Sequence, residues 1–141
     1  METKEKTSIT VQTIVNAPIE KVWESWTKPE HITKWNQASD DWHCPKATND
    51  LRTGGKFSAI MAAKDGSQSF EFGGIYTNVE PLKRIQSEMA DGRKIDVKFE
   101  PQGNSTHVIE AFEAEETNSI ELQRNGWQAI LDNFKKHTES I

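Results

Sequence analysis

The middle of the chain is a run of segments in which apolar and polar residues alternate, separated by short glycine-containing turns. The pairs Asp65-Gly66, Asp91-Gly92 and Gly103-Asn104 are typical of β-hairpin turns, because these residues tolerate the positive φ angles that tight turns require. Over residues 40–115 the pattern therefore predicts a meander of about six antiparallel strands. Five of these strands have clear bounds, at 56–63, 67–79, 82–90, 94–100 and 105–114.

Shorter elements precede this run. Alternating apolar residues predict a strand at Ser8–Val15, and Asn16-Ala17-Pro18 ends it. Proline is tolerated in the first turn of a helix, so we expect a short helix at Ile19–Thr27. A second short helix is predicted from Pro29 through Trp35.

One long amphipathic helix is predicted at the C-terminal end. Ile120, Trp127, Leu131 and Phe134 recur at helical spacing, and the pattern continues to about residue 139. Asn118 is the expected N-cap, with Glu121 reciprocating three residues later. Gly126 costs about 1 kcal/mol relative to alanine inside a helix, which indicates that a neighbouring element packs closely against it.

Together these elements predict an α+β fold in which a curved antiparallel sheet grips the final helix. A sheet of this size needs its apolar face covered, and the last helix is the only predicted element long enough to cover it. A length of 141 residues corresponds to a single domain, 1–141.

Charge and composition narrow the classes of partner. The net charge is −5, and residues 71–141 carry 13 acidic and 8 basic groups, so nucleic acid is not an expected partner. No apolar run approaches the roughly 18 residues of a membrane span. Met1–Thr7 lacks the apolar region of a secretory signal, and Cys44 is the only cysteine, so we expect a cytoplasmic protein without disulfides.

The sequence contains no recognisable catalytic, metal-binding or cofactor motif. No Gly-x-Ser-x-Gly elbow occurs, and His43 and Cys44 are adjacent, which places their side chains on opposite faces of a strand. The four histidines are not paired at i, i+3 or i, i+4 spacing, and no phosphate loop or dinucleotide fingerprint is present. We therefore predict no catalytic residue, no metal and no cofactor.

Large apolar residues share one face of each predicted strand, and this face is expected to meet the final helix. Such stripes form either a filled core or the wall of a cavity, and the pattern alone is more typical of a core. Glu110 alternates in register with Val108 and Phe112, which places a carboxyl on the same face. There it would be a buried polar group that needs a partner, unless the strand ends or reaches an edge at that point.

Several segments together resemble a known family, and the resemblance covers essentially the whole chain. They are NAPIEKVW at 16–23, WTKPEHI at 26–32 with Trp35, DLRTGGKF at 50–57, GIY at 74–76 with Glu80-Pro81, and GWQAIL at 126–131. The chain resembles START-like domains of the activator of heat-shock-protein ATPase homologue type, in the superfamily of the birch pollen allergen and the polyketide cyclases. This family has the helix-grip fold, in which the sheet and the long helix enclose a deep apolar cavity.

The resemblance implies non-enzymatic binding of a lipid-, sterol-, flavonoid- or polyketide-like molecule between sheet and helix, and a role in a stress response is a further expectation. Trp35 and Trp42 would lie near the mouth, Tyr76 or Glu110 would orient the ligand, and Trp127 and Leu131 would line the helix side. The expected sheet-side contacts are Phe57, Met61, Phe70, Phe72, Met89 and Phe99.

Two alternatives follow from the same resemblance. One is a protein-interaction module related to chaperone ATPase activators, although the eukaryotic activator depends on an additional N-terminal domain that these 141 residues lack. The other is a polyketide cyclase-like enzyme, for which His107, Glu110 and Tyr76 are the available groups. His107 and Glu110 have opposite parity on one strand, so without a bulge only one of them can face the cavity.

Overall fold

The computed structural model describes residues 7–141, so most of the segment considered for a secretory signal, Met1–Thr7, lies outside the described residues. The helices are α1 at Ile19–Thr27, α2 at Pro29–Trp35 and α3 at Ile120–Ser140. The strands are β1 at Ser8–Val15, β2 at Trp42–Asn49, β3 at Lys56–Ala63, β4 at Ser69–Glu80, β5 at Arg84–Met89, β6 at Lys94–Gln102 and β7 at Ser105–Glu113.

The strands form one seven-stranded sheet in the order β1-β7-β6-β5-β4-β3-β2, and every neighbouring pair is antiparallel. The sheet curls into a half-barrel, and the long helix α3 packs against it. This arrangement confirms the predicted α+β helix-grip fold, with two short helices after the first strand. Consecutive strands from β2 to β7 are neighbours, as expected of a meander.

A proline sets the boundary between the two short helices. Pro29 restricts the residue before it, so Lys28 is extended (φ −82°, ψ 129°) and separates α1 from α2. The Trp35 indole Nε1–H donates a hydrogen bond of 2.9 Å to the Ser25 carbonyl oxygen, which ties the end of α2 back to α1. This hydrogen bond holds the buried Trp35 side chain in place.

The β4–β5 turn differs from the sequence prediction. Leu82 was expected to begin β5, but it lies in the turn with a φ of 64°. The Lys83 N–H donates to the Glu80 carbonyl oxygen at 3.0 Å and closes the turn after Pro81. A leucine at positive φ is uncommon, and nothing in the sequence around Leu82 predicts this conformation.

Two expectations for α3 are wrong. The N-cap is Ser119 and not Asn118, because the Ser119 hydroxyl accepts a hydrogen bond from the Leu122 N–H at 3.1 Å. Both residue types are good caps, so the sequence leaves a one-residue uncertainty. Gly126 is not a close-packing site, since a Cβ there would meet no atom within 4 Å. Close approach occurs instead in β4, where a Cβ on Gly74 would lie 2.3 Å from the Glu88 carbonyl oxygen.

The core lies between the sheet and the helices. Phe112 of β7 stacks on Trp127 of α3 with ring centroids 3.8 Å apart, which joins the sheet to the long helix. Farther along α3, Phe134 is fully buried between the rings of Trp26 and Trp35, at 4.9 and 5.0 Å. This second aromatic cluster packs α1, α2 and α3 against one another.

Candidate functional site

A cavity of about 260 Å³ lies between the sheet, α2 and α3. Strands β2 to β7 all contribute to its walls, and α1 contributes Trp26. The structure brings together nine of the twelve residues predicted to contact a ligand, and these nine line the cavity: Trp35, Phe57, Met61, Phe70, Phe72, Tyr76, Glu110, Trp127 and Leu131.

The other three predicted residues lie outside this lining. Phe99 is on the predicted face of β6, but the rings of Trp23 and Trp26 cover it at 5.4 and 5.7 Å. Met89 is buried in the core, opposite Gly74 of β4. Trp42 packs against Phe70 at 5.8 Å, next to the cavity lining. Alternation indicates which face a residue occupies, but it does not indicate which part of that face α1 covers.

Several other lining residues were not predicted from the sequence. Ile32 and Asn36 come from the region of α2, and Ile130 comes from α3 beside Trp127. Ile85, Ser87, Ile95 and Val97 line the sheet side. The last four lie on the strand faces that the alternation of apolar and polar residues predicts to be interior. They could therefore have been predicted from the sequence. Ile130 had no comparable signal.

Aromatic rings form a continuous wall from β3 to α3. Phe57 lies 4.9 Å from Tyr76 and 6.1 Å from Phe72, measured between ring centroids. Phe72 meets Trp127 of α3 edge to face at 5.9 Å. Phe70, at the start of β4, is 54% exposed although it lines the cavity, so it stands where the cavity meets solvent. The arrangement offers large apolar contact surfaces to a guest molecule.

Glu110 places a carboxyl group in this apolar setting. The residue is 8% exposed and lines the cavity from the middle of β7. Its neighbours across the sheet are Val11 of β1 and Val97 of β6. Burial alone raises the pKa of Glu110 from its ordinary value of 4.5 to about 8. The carboxyl is therefore mostly protonated at neutral pH.

Tyr76 is the second polar group that was predicted to orient a ligand. Its hydroxyl donates a hydrogen bond to Asn49 Oδ1, and the Asn49 amide donates to the Thr27 carbonyl oxygen. Burial raises the pKa of the Tyr76 phenol above its usual range, so it stays protonated. Because its single proton already forms the hydrogen bond to Asn49, the hydroxyl can only accept a hydrogen bond from a ligand.

His107 does not join Glu110. Burial alternates strictly along β7, with Glu110 on the buried face and His107 on the other face. There the His107 ring nitrogen Nε2 lies 2.8 Å from Gln12 Oε1. The two residues therefore lie on opposite faces of β7, as their parity predicts, and the acid–base pair considered for a cyclase is not assembled in the cavity.

Residues 7–141 lack two further features. No three His, Cys, Asp or Glu side chains in this range are grouped as a metal site would require. None of the helices formed by the same residues is long and apolar enough to cross a membrane.

Comparison with known proteins places the chain among close structural relatives. A family model described as activator of Hsp90 ATPase homolog 1-like protein matches residues 16–139. The AHSA1-like protein from Aeromonas hydrophila is 43% identical, with a TM-score of 0.89 over 95% of this chain and 93% of that one. Chr148 from Cytophaga hutchinsonii is 53% identical, with a TM-score of 0.81 over 94% and 92% of the two chains.

More distant structures share the fold alone. CV1439 from Chromobacterium violaceum is 22% identical, and it superposes with a TM-score of 0.84 over 94% of this chain and 98% of that one. No match was found among curated proteins.

Proposed function

The chain belongs to the activator of Hsp90 ATPase homolog 1-like family, and from this membership and its cavity we propose that it binds a small apolar molecule without catalysing a reaction. The observation that carries the proposal is the gathering of nine predicted contact residues around one cavity of about 260 Å³. Apolar walls with few polar groups are typical of sites for such molecules. Lipid-, sterol-, flavonoid- and polyketide-like molecules are all largely apolar with few polar groups, so each of these classes suits such a site.

The size of the cavity favours the smaller members of these classes. Ligand pockets commonly have volumes of about 300–1,000 Å³, and about 260 Å³ is slightly below that range. A flat molecule of two or three rings fits such a space better than a phospholipid. The aromatic wall formed by Phe57, Phe72 and Trp127 supports the same choice, because rings pack well edge to face and offset.

The alternative is a protein-interaction role. The family description refers to activators of the Hsp90 ATPase, so a chaperone is the partner that this alternative names. Under this alternative, the aromatic wall would serve only as core, and an apolar probe would not bind in the cavity. The cyclase-like alternative has less support, because Glu110 faces the cavity without His107.

The test is binding of N-phenyl-1-naphthylamine, an uncharged fluorophore whose emission rises in apolar surroundings. Phe72→Ala removes a ring that lines the cavity, and we expect its affinity for the probe to fall about tenfold. This corresponds to losing roughly 55 Å² of contact at about 25 cal/mol per Å². Far-UV circular dichroism should change much less than the affinity.

Ile75→Ala is the matched control, because Ile75 lies on the same strand but is 45% exposed outside the cavity lining. We expect it to bind the probe like the original protein. Equal loss of binding and of secondary structure in Phe72→Ala would mean that Phe72 serves only as core. Absence of probe binding by the original protein would favour the protein-interaction alternative.

A further inference from the structure

Glu110 carries a buried polar group whose hydrogen-bonding capacity is unused. The residue is 8% exposed, and no described residue forms a hydrogen bond or ion pair with its carboxyl. A group placed in this way inside a cavity is typical of a site that a ligand completes.

The residues around Glu110 determine which kind of hydrogen bond it can form with a ligand. Val11 and Val97 flank it on the neighbouring strands, and Val108 and Phe112 flank it along β7 on the same buried face. None of these side chains can donate to a carboxylate or accept from an ammonium group. The protonated carboxyl therefore offers an O–H donor to the cavity, and the side chains that immediately flank it are apolar.

No charge elsewhere in the lining changes this balance. Helix α2 contributes Ile32 and Trp35, and α3 contributes Trp127, Ile130 and Leu131. Among residues 7–141, the only other titratable side chain that lines the cavity is the Tyr76 phenol, which donates its hydrogen bond to Asn49. No lysine, arginine or histidine of this described range occurs in the lining, so a ligand carboxylate would have no cation there to pair with.

We propose that the ligand of this cavity carries an uncharged hydrogen-bond acceptor of the carbonyl type, and that the O–H of the Glu110 carboxyl donates a hydrogen bond to that oxygen. The proposal rests on the proposed binding function and adds the chemical class of the ligand. An aromatic ketone has the required features, a flat apolar body and one acceptor. An amine would need Glu110 to ionise, and both charges would then be buried with only valine and phenylalanine around them, which is costly.

The test uses four naphthalenes of nearly equal size that differ in one substituent. 2-Acetylnaphthalene carries the acceptor, 2-isopropylnaphthalene lacks it, 2-naphthoate is an anion, and 1-(2-naphthyl)ethylamine is a cation. Each compound displaces N-phenyl-1-naphthylamine from the protein, from Glu110→Leu and from Glu110→Gln. The ratio of ketone affinity to hydrocarbon affinity is compared between proteins, because this comparison cancels differences in solubility.

At pH 6.5 we expect the ketone-to-hydrocarbon ratio to be about tenfold higher for the original protein than for Glu110→Leu, as one neutral hydrogen bond predicts. Above pH 8 the ratio should fall in the original protein, because the ionised carboxylate no longer donates. Glu110→Gln should keep its ratio at both pH values, since its amide donates and does not ionise. The hydrocarbon should bind Glu110→Leu at least as well as the original protein.

The outcomes separate this inference from the function on which it depends. If all four compounds fail to displace the probe, or the probe itself does not bind, cavity binding is wrong and the inference falls with it. If the ratio of ketone affinity to hydrocarbon affinity is the same in the original protein and in Glu110→Leu, cavity binding stands and the proposed acceptor class is wrong. Preferential binding of the amine or of the naphthoate at pH 6.5 would also overturn it.

Discussion

Replacing Glu110 by glutamine is expected to flatten the dependence of stability on pH, with no ligand present. In the folded protein burial raises the pKa of Glu110 to about 8, whereas an unfolded chain has a value near 4.5. Between these two pH values the folded state retains a proton that the unfolded state releases. Stability is therefore full below pH 4.5 and is lost progressively as the pH rises to about 8.

The size of the effect follows from the two pKa values. One pH unit corresponds to about 1.4 kcal/mol for a single proton. Between pH 5 and pH 9 the free energy of unfolding should therefore fall by about 4 kcal/mol more in the original protein than in Glu110→Gln. This is a large part of the roughly 5–15 kcal/mol that stabilises a typical domain.

Urea unfolding followed by tryptophan fluorescence measures this difference. Both proteins are unfolded at half-unit intervals between pH 5 and pH 9, and the difference in free energy is plotted against pH. Other titrating groups are common to both proteins, so they cancel in the difference. A difference that stays within about 1 kcal/mol over this range would refute the reasoning, because Glu110 would then be ionised at little cost in the folded state.

Two glycines and a histidine pair give further predictions. Gly126→Ala should raise the free energy of unfolding by about 1 kcal/mol, because a Cβ there meets no atom within 4 Å and alanine favours helix. Gly74→Ala should lower it by more than about 2 kcal/mol, since its Cβ would lie 2.3 Å from the Glu88 carbonyl oxygen, and equal effects of the two variants would contradict the packing seen in β4. His137 lies with its Nε2 2.9 Å from His31 Nδ1, and burial followed by the charge of His31 lowers its pKa below 6.5. Its contribution to stability is present above pH 6.5 and is lost as the pH falls through the lowered value, so His137→Gln should lose less stability than the original protein between pH 7 and pH 5 in the same urea series.

Much of the fold could be predicted because local patterns and the global arrangement agree. Alternation over β1 and β3 gave their bounds, and the glycine pairs marked turns, such as Gly103 at a φ of 66°. The errors fall where two local choices are nearly equal in energy, as at Asn118 and Ser119, or where a residue adopts an unfavoured conformation, as at Leu82.

The site was predictable only in part. Strand parity correctly placed Phe57, Phe72 and Glu110 on the inner face, since that property is local. Whether an inner residue meets space or another side chain depends on where the helices lie. Phe99 illustrates this, because the tryptophans of α1 cover it.

The most direct test of the cavity as a binding site uses the methionine methyl groups. Of the three methionines, Met61 lines the cavity, Met89 is buried outside its lining, and Met1 lies outside the described residues. In a protein labelled with ¹³C at these methyl groups, N-phenyl-1-naphthylamine should shift the Met61 signal along a curve that saturates with the fluorescence, and the Met89 signal should move little. A Met61 signal that stays in place while the fluorescence saturates would mean that the probe binds elsewhere, and the cavity would not be the binding site.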